Sequence, residues 1–389
     1  MSGKYNEQDK SISCSVCKLC GGCSYTDVSY EKELAQKHNY VKELFKGIIE
    51  PEPVTGMYRP VYYRNKVHGI VGLNKDKKIV TGIYQEGTHR LVPVDTCMIE
   101  DEESDKIMNT LCKLFQSFKY VPYNEDTRRG FMRHVLIRKG FSTKEIMVVL
   151  VTADVAFPSK NAFIRELLKI HPQITTIVQN INSASTSMVL GKRNIVLTGK
   201  GYIEDVLCGC RFRISADTFY QINPSQTEKL YKAAIKAADI KKGDTVIDAY
   251  CGVGTIGIVA ASSAKAGRVI GVELNPQSVK DAEVNAQING TKNISFVCAD
   301  AGQFLVEYAK KGKADVVIMD PPRSGSTQDF LNSLLKIKPE RIVYVSCDPS
   351  TQVRDVKVLM KGGYKVTMCK PYDLFPHTAH VENVILLQR

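Results

Sequence analysis

Gly243–Ser262, GDTVIDAYCGVGTIGIVAAS, decides the fold. Thr245–Asp248 is a short apolar, partly β-branched run, suited to a strand buried on both faces of a parallel sheet. Gly252 and Gly254 then mark a tight turn, and a helix-like apolar run follows. The pattern repeats outward. GRVIGVELNPQSVKDAEVNAQING predicts a second strand ending in Glu273 and then a helix, and NISFVCAD a third strand ending in Asp300. ADVVIMDPPRSG predicts a fourth, closed by Asp320-Pro321-Pro322, and RIVYVSCDPST a fifth. YKVTMCKPYDLFPHTAHVENVILLQR supplies a final antiparallel pair. Strand–helix alternation with short loops predicts a doubly wound, Rossmann-like α/β sheet.

Such sheets bind ligands beyond the carboxyl ends of their strands. A dinucleotide site of a nicotinamide oxidoreductase is one reading of the glycine turn. In Asp248–Gly257, however, the aspartate precedes the glycines, and the spacing differs from G-x-G-x-x-G. Glu273 suits a ribose diol through paired O–H donors, and Asp300 suits an adenine amino group. No phosphate-holding lysine is evident. Glycines, a ribose acid and an adenine acid at three successive strand ends describe an adenosyl group, so S-adenosylmethionine is the expected ligand.

DPPR then separates the methyl-transfer chemistries. The proline pair stiffens a loop over the methyl donor, and Arg323 stands where adenine amino-methylases carry an aromatic residue. Cys347 sits just past the fifth strand, which Asp348-Pro349 stops. A free thiol there suits a pyrimidine. Carbon 5 of uracil is a poor nucleophile, but thiolate addition at carbon 6 turns the ring into an enolate that can attack a sulfonium methyl. The carbon-5 proton must then leave, which calls for a general base. Glu382, ahead of the last apolar strand, is the expected base, with His377 and His380 as runners-up.

The rest of the chain carries a second signal. In 389 residues with a net charge of +12, the excess is shared between the two halves, which favours a polyanionic partner such as RNA. The polar N-terminus lacks a signal-peptide core, and no run approaches the roughly 18 apolar residues of a membrane span. A cytoplasmic location is expected, so 12 cysteines argue for metal or catalysis over disulfides. Cys14, Cys17, Cys20 and Cys23 lie in CSVCKLCGGC. Zinc and iron–sulfur clusters both accept four thiolates, and the spacing does not choose between them. With Cys17 the site is complete locally; without it, Cys14, Cys20 and Cys23 need a distant fourth ligand, for which Cys97 is the best candidate. Ser29–Ile49 reads as a helix. From Pro51 to Asp205 short β runs dominate, interrupted by a helical piece at Ala162–Ile170. This predicts a β-rich α+β domain. Arg64, Lys66, Arg128, Arg129, Arg133, His134, Arg138 and Lys139, with Tyr58, Tyr62, Tyr63 and Tyr84 among them, are its candidate RNA contacts.

The motifs FYQINPSQTEKLY, DAYCGVGTIG, DPPRSG, SCDPST and HTAHVENV together resemble the RNA uracil-5-methyltransferase family, which makes 5-methyluridine in 23S ribosomal RNA and in tRNA. By that resemblance Cys347 is the nucleophile and Glu382 the base. Gln221, Tyr250, Glu273 and Asp320 line the S-adenosylmethionine site, with Thr255 and Asp300 beside it. The ribosomal-RNA members hold a 4Fe–4S cluster on C-x5-C-x2-C plus a distant cysteine, which fits Cys14, Cys20, Cys23 and Cys97 and leaves Cys17 a bystander. The resemblance implies an iron–sulfur arm and helix over residues 1–50, a β-rich RNA-binding domain over 51–205 and a class I methyltransferase domain over 206–389. It implies methylation of a 23S ribosomal RNA uridine by a monomer, with tRNA as the alternative substrate. By the same resemblance, the chain is expected to lack the N-terminal β-barrel RNA-binding module that many relatives carry. A non-catalytic RNA-binding assembly factor is the remaining, more distant reading.

Overall fold

The computed structural model describes residues 4–85, 87–263, 266–310 and 312–389, which form two compact units. The first holds the chain up to Tyr30, Arg59–Asp205 and Ile214–Asp217; the second holds Glu31–Tyr58, Val206–Arg213 and Thr218–Arg389. A two-stranded hairpin, Tyr202–Leu207 with Cys210–Ser215, contributes residues to both.

In the first unit a seven-stranded sheet runs in the order Leu91–Pro93, Ile79–Tyr84, Lys66–Leu73, Met132–Lys139, Ile146–Thr152, Ile174–Ile181, Arg193–Thr198. Its pairings are antiparallel except that of Ile146–Thr152 with Ile174–Ile181. That parallel step needs a crossover, which the helix Lys160–Ile170 supplies. Sequence reading passes over a second helix, Glu102–Ser117. Asp101 caps it, accepting from the Ser104 N–H at 3.0 Å. Ile107, Met108, Leu111 and Phe115, at helical spacing, bury themselves in the core with Val135, Val148 and Phe163.

Of the basic candidates, Arg128 and Arg129 are exposed, whereas those within the sheet turn inward. Arg133 and Arg138 are buried. The Arg133 guanidinium donates to the Asn182 and Ala184 carbonyls at 2.7 and 2.8 Å and to Glu125 at 2.9 Å, and it lies over the Tyr123 ring. Burial holds His68 down at about 4 and His134 at about 3, so both rings are neutral. Lys139 is paired with Asp101 and Glu103. Of the tyrosines, Tyr63 is buried and Tyr58 stands 90% exposed.

The second unit is built on a sheet ordered Ile294–Cys298, Arg268–Glu273, Thr245–Ala249, Val316–Met319, Arg341–Ser346, Glu382–Gln388, Lys365–Tyr372. The first five strands are parallel; Glu382–Gln388 runs against them, and Lys365–Tyr372, antiparallel to it, runs with them again. This is the expected doubly wound sheet, with its order reversing on either side of Thr245–Ala249. The five parallel strands carry the predicted ends to within a residue, with one larger difference. The third stops at Cys298, and Asp300 caps the next helix, Ala301–Tyr308, accepting from the Gln303 N–H at 2.9 Å. An aspartate two residues past a strand is as good a helix start as a strand end. Residues 31–58, which sequence reading divides between an arm and the β-rich domain, belong to this unit. In the helix Tyr30–Leu44 and just beyond it, Val41 and Phe45 are fully buried with Ile247, Val317 and Tyr344.

Candidate active site

Ser346 and Asn383 are the last partners of the antiparallel strands Arg341–Ser346 and Glu382–Gln388. Cys347 is one step past Ser346 and Glu382 one step before Asn383, so thiol and carboxylate occupy the next facing positions. Below them Asn383 and Gln352 lock the strand to the helix Pro349–Lys361: Asn383 Nδ2 donates to Gln352 Oε1 at 2.8 Å, and Gln352 Nε2 donates to the Tyr344 carbonyl at 2.9 Å. Asp320 follows Met319, whose register partner is Tyr344, so it stands at the same edge of the sheet. Arg323 completes the group. Its Nη2 donates to His380 Nδ1 at 2.6 Å, and its carbonyl accepts from Thr351 Oγ1 at 3.0 Å.

These four groups act on one another. Burial pushes the Cys347 thiol up to about 11, Glu382 and Asp320 push the same way, and Arg323 opposes them. Burial, then the Asp320 carboxylate, pushes Glu382 up to about 8, again against Arg323. Desolvation alone raises Asp320 to about 7. The site thus sets a half-buried thiol, a candidate nucleophile, beside a 3%-exposed carboxyl group, a candidate proton acceptor. Of the alternative bases, His377 is buried against Glu33, its Nδ1 3.3 Å from Glu33 Oε2, and His380 is held by Arg323.

The other strand ends hold the predicted donor residues. Tyr250 turns the chain after Thr245–Ala249 with φ 64°, a left-handed conformation uncommon outside glycine, followed by Gly252 at 55° and Gly254 at 81°. The helix Thr255–Ser263 starts there. A Cβ on Gly257 would come 2.7 Å from Asp248 Oδ2, and it is the missing side chain that lets the Gly257 N–H donate to that oxygen at 2.7 Å. Burial holds Asp248 up at about 7, with Asp320 and Glu273 adding to it. Glu273 accepts from the Gly252 N–H at 3.1 Å and the Asn275 N–H at 2.8 Å, tying the glycine turn to the second strand end. Thr255 Oγ1 lies 3.0 Å from the Tyr231 hydroxyl, and the Tyr250 ring packs on Phe330 at 5.4 Å. Gln221 is half-buried in the loop before the helix Pro224–Ala238, which carries Tyr231. Asp248 and Tyr231 are the residues at this edge that sequence reading gave no role. The aspartate was visible as the acid before the glycines; the tyrosine had no signal of its own.

The pattern described as tRNA (uracil-5-)-methyltransferase matches residues 29–389. The chain belongs to that family. RNA methyltransferases of Halalkalibacterium halodurans and Clostridium tetani are each 40% identical to it, over 96% of this chain and 82% of theirs. Among solved structures, the Pyrococcus abyssi tRNA (uracil-54, C5)-methyltransferase in complex with S-adenosyl-L-homocysteine is similar with a TM-score of 0.80 and 28% identity, over 95% of this chain and 86% of that one. Membership makes the chain an RNA (uracil-5-)-methyltransferase with a Rossmann-like catalytic sheet. No helix among the described residues is long and apolar enough to cross a membrane.

This family member carries its cysteine group in the first unit. Cys14, Cys17, Cys20, Cys23 and Cys97 are all half-buried free thiols. Burial pushes Cys23 up to about 12, and Cys20, Cys14 and Cys17 act on it; Cys23 acts in turn on Cys97. A Cβ on Gly22 would come 3.2 Å from Cys20 Sγ, so the glycine lets that sulfur lie against the chain. Cys17 is turned to another partner, its sulfur accepting from Thr26 Oγ1 at 3.6 Å. Among the described residues no three His, Cys, Asp or Glu side chains stand ready-made around a single ion. Thiolates that act on one another through Cys23 are a donor type that zinc and iron–sulfur centres both take.

Proposed function

We propose that the chain methylates carbon 5 of a uridine in 23S ribosomal RNA, with S-adenosylmethionine as donor. The observation that carries the reading is the register of Cys347 against Glu382, beside Asp320. Cys347 gives up its proton to solvent and its Sγ adds to carbon 6. The C5=C6 pair moves to carbon 5 and the carbonyl as an enolate. Carbon 5 takes the methyl group, and the sulfonium C–S bond breaks to leave the neutral thioether. Glu382 removes the carbon-5 proton; that electron pair re-forms C5=C6 and expels the Cys347 thiolate. Gln221, Tyr250, Thr255, Glu273, Asp300 and Asp320 hold the donor. Glu273 meets the ribose and Asp300 the adenine.

Cys14, Cys20, Cys23 and Cys97 hold a 4Fe–4S cluster in this reading, with Cys17 outside it. When bound, the cluster supplies a structural tie from the N-terminal arm to Cys97. The cysteine set favours ribosomal RNA, by its resemblance to the ribosomal-RNA members. A second reading, transfer of the methyl group to a tRNA uridine, is favoured by the likeness to the Pyrococcus abyssi enzyme. Mapping 5-methyluridine in both RNAs from a strain lacking the protein tests the two. Loss of one 23S ribosomal RNA site supports the first, loss of a tRNA site the second, and unchanged maps refute both.

A further inference from the structure

The segment Asp373–Val381 joins the last two strands of the second unit and ends on Glu382, whose register partner is Tyr372. It is held by a buried ionic group that the mechanism above does not use. Glu33 and Lys37 lie four residues apart on the helix Tyr30–Leu44, 0% and 1% exposed. Lys37 Nζ donates to Glu33 Oε1 at 2.7 Å, to Asp373 Oδ1 at 2.7 Å and to the Phe375 carbonyl at 3.3 Å, which engages all three of its protons. Glu33 Oε1 also accepts from the His377 N–H at 2.7 Å. His377 has φ 67°, a left-handed conformation that needs outside support. Gln226 Nε2 and Asn223 Nδ2 take the Asp373 and Leu374 carbonyls at 3.0 and 2.9 Å.

Two buried carboxylates on one ammonium are a poor way to gain stability. An apolar set of the same volume commonly does as well, because desolvating the charges offsets their attraction. What the group does provide is geometry. Two directional bonds from Lys37 Nζ, to Asp373 and Phe375, and the His377 N–H bond to Glu33 fix the loop next to Glu382. The same helix also reaches the start of the helix that follows Cys347, where the Tyr40 hydroxyl meets Ser350 beside the capping Asp348. We propose that Lys37 is a positioning residue for methyl transfer: through Asp373 and Phe375 it sets Glu382 where it can take the carbon-5 proton. This rests on the proposed Cys347–Glu382 chemistry.

The test is Lys37→Met in the full-length protein, which keeps most of the stem volume and removes the charge. S-adenosylhomocysteine affinity is the control for folding. The readouts are kcat, KM for RNA and the amount of RNA–protein adduct that survives SDS. A misplaced base leaves Cys347 able to add but slow to be released. The expected result is an unchanged cofactor affinity, an RNA KM within about twofold, a kcat lower by about 100-fold, and an accumulating adduct that Cys347→Ala abolishes. Lys37→Arg, which keeps the charge, is expected to recover most of kcat. A Lys37→Met protein that binds cofactor yet shows wild-type kcat, or loses kcat with no adduct, overturns the proposal. Should the single variant fail to bind cofactor, Glu33→Gln/Lys37→Met/Asp373→Asn removes all three charges and is judged by the same readouts. Wild-type protein that neither methylates RNA nor forms an adduct overturns the underlying chemistry instead.

Discussion

Cys347 and Glu382 are neighbours because two strands run in opposite directions. One leaves the sheet edge at Ser346 and the other enters it at Glu382, with Ser346 opposite Asn383. A parallel final strand would have put its first residue at the far end of the sheet. The antiparallel closing pair is therefore what brings a carboxyl group from the end of the chain to a thiol more than thirty residues earlier.

Replacing either member should stop the reaction at a different point. Cys347→Ala leaves no nucleophile, so methyl transfer and adduct both vanish while cofactor binding persists. Glu382→Gln keeps the thiol but cannot take the carbon-5 proton, so methylated RNA stays attached to the protein. Denaturing gels with radiolabelled RNA distinguish the two. A Cys347→Ala protein that still methylates RNA would remove the mechanism.

The pH response follows from the buried carboxyl groups. Glu382 is held up at about 8 and Asp320 at about 7, each above the ordinary carboxylate range. In the proposed mechanism ionised Glu382 is the base, so kcat should rise with pH through about 8, and it should go on rising above that because the Cys347 thiol is held up at about 11. Stability runs the other way. Between the unfolded and folded values the native state holds more protons than the unfolded chain, so stability falls as pH rises from about 4.5 to about 8. Glu382→Gln should flatten that fall, by at most about 5 kcal/mol. Thermal melts of both proteins from pH 5 to 8.5 check it, and parallel curves would show the carboxyl group to be unperturbed.

How much of this was legible in the sequence depends on whether the cue was local. The strand at Thr245–Ala249, its left-handed turn and the acids at Glu273 and Asp320 were readable because β-branched runs, glycines and a proline pair act within a few residues. Asp300 misled because one aspartate serves equally as strand end and helix cap, and only the Gln303 N–H distinguishes them. The basic run Arg133–Lys139 misled for the opposite reason. Charge implies exposure, yet Arg133 finds buried carbonyls at Asn182 and Ala184, far along the chain. Lys37 had no signal at all. Its partner Asp373 lies 336 residues away, and a lysine on an amphipathic helix reads as solvated. The helix Glu102–Ser117, by contrast, carries both a capping aspartate and an apolar stripe, which are cues local enough for the sequence to show.

The donor end can be probed through Glu273. Its two oxygens already tie Gly252 and Asn275 to the strand end, and the proposed ribose contact adds a charge-assisted bond. Glu273→Gln should weaken S-adenosylhomocysteine binding about 10- to 100-fold while RNA affinity and its salt dependence stay unchanged. Calorimetric titration with each ligand measures both, and an equal loss of RNA binding would point to a misfolded turn.

The cysteine arm makes the last separable prediction. Cys17 is engaged by Thr26 although it too acts on Cys23, which is coupled to Cys14, Cys20 and, far along the chain, Cys97. Protein purified without oxygen should be brown, with about four irons and four sulfides per chain. Cys20→Ser or Cys97→Ser should lose the colour and the iron, because each removes a thiolate that serine cannot replace. Cys17→Ala should keep both. Colourless wild-type protein carrying zinc would refute the cluster, and iron lost from Cys17→Ala but retained in Cys97→Ser would move the fourth ligand from Cys97 to Cys17.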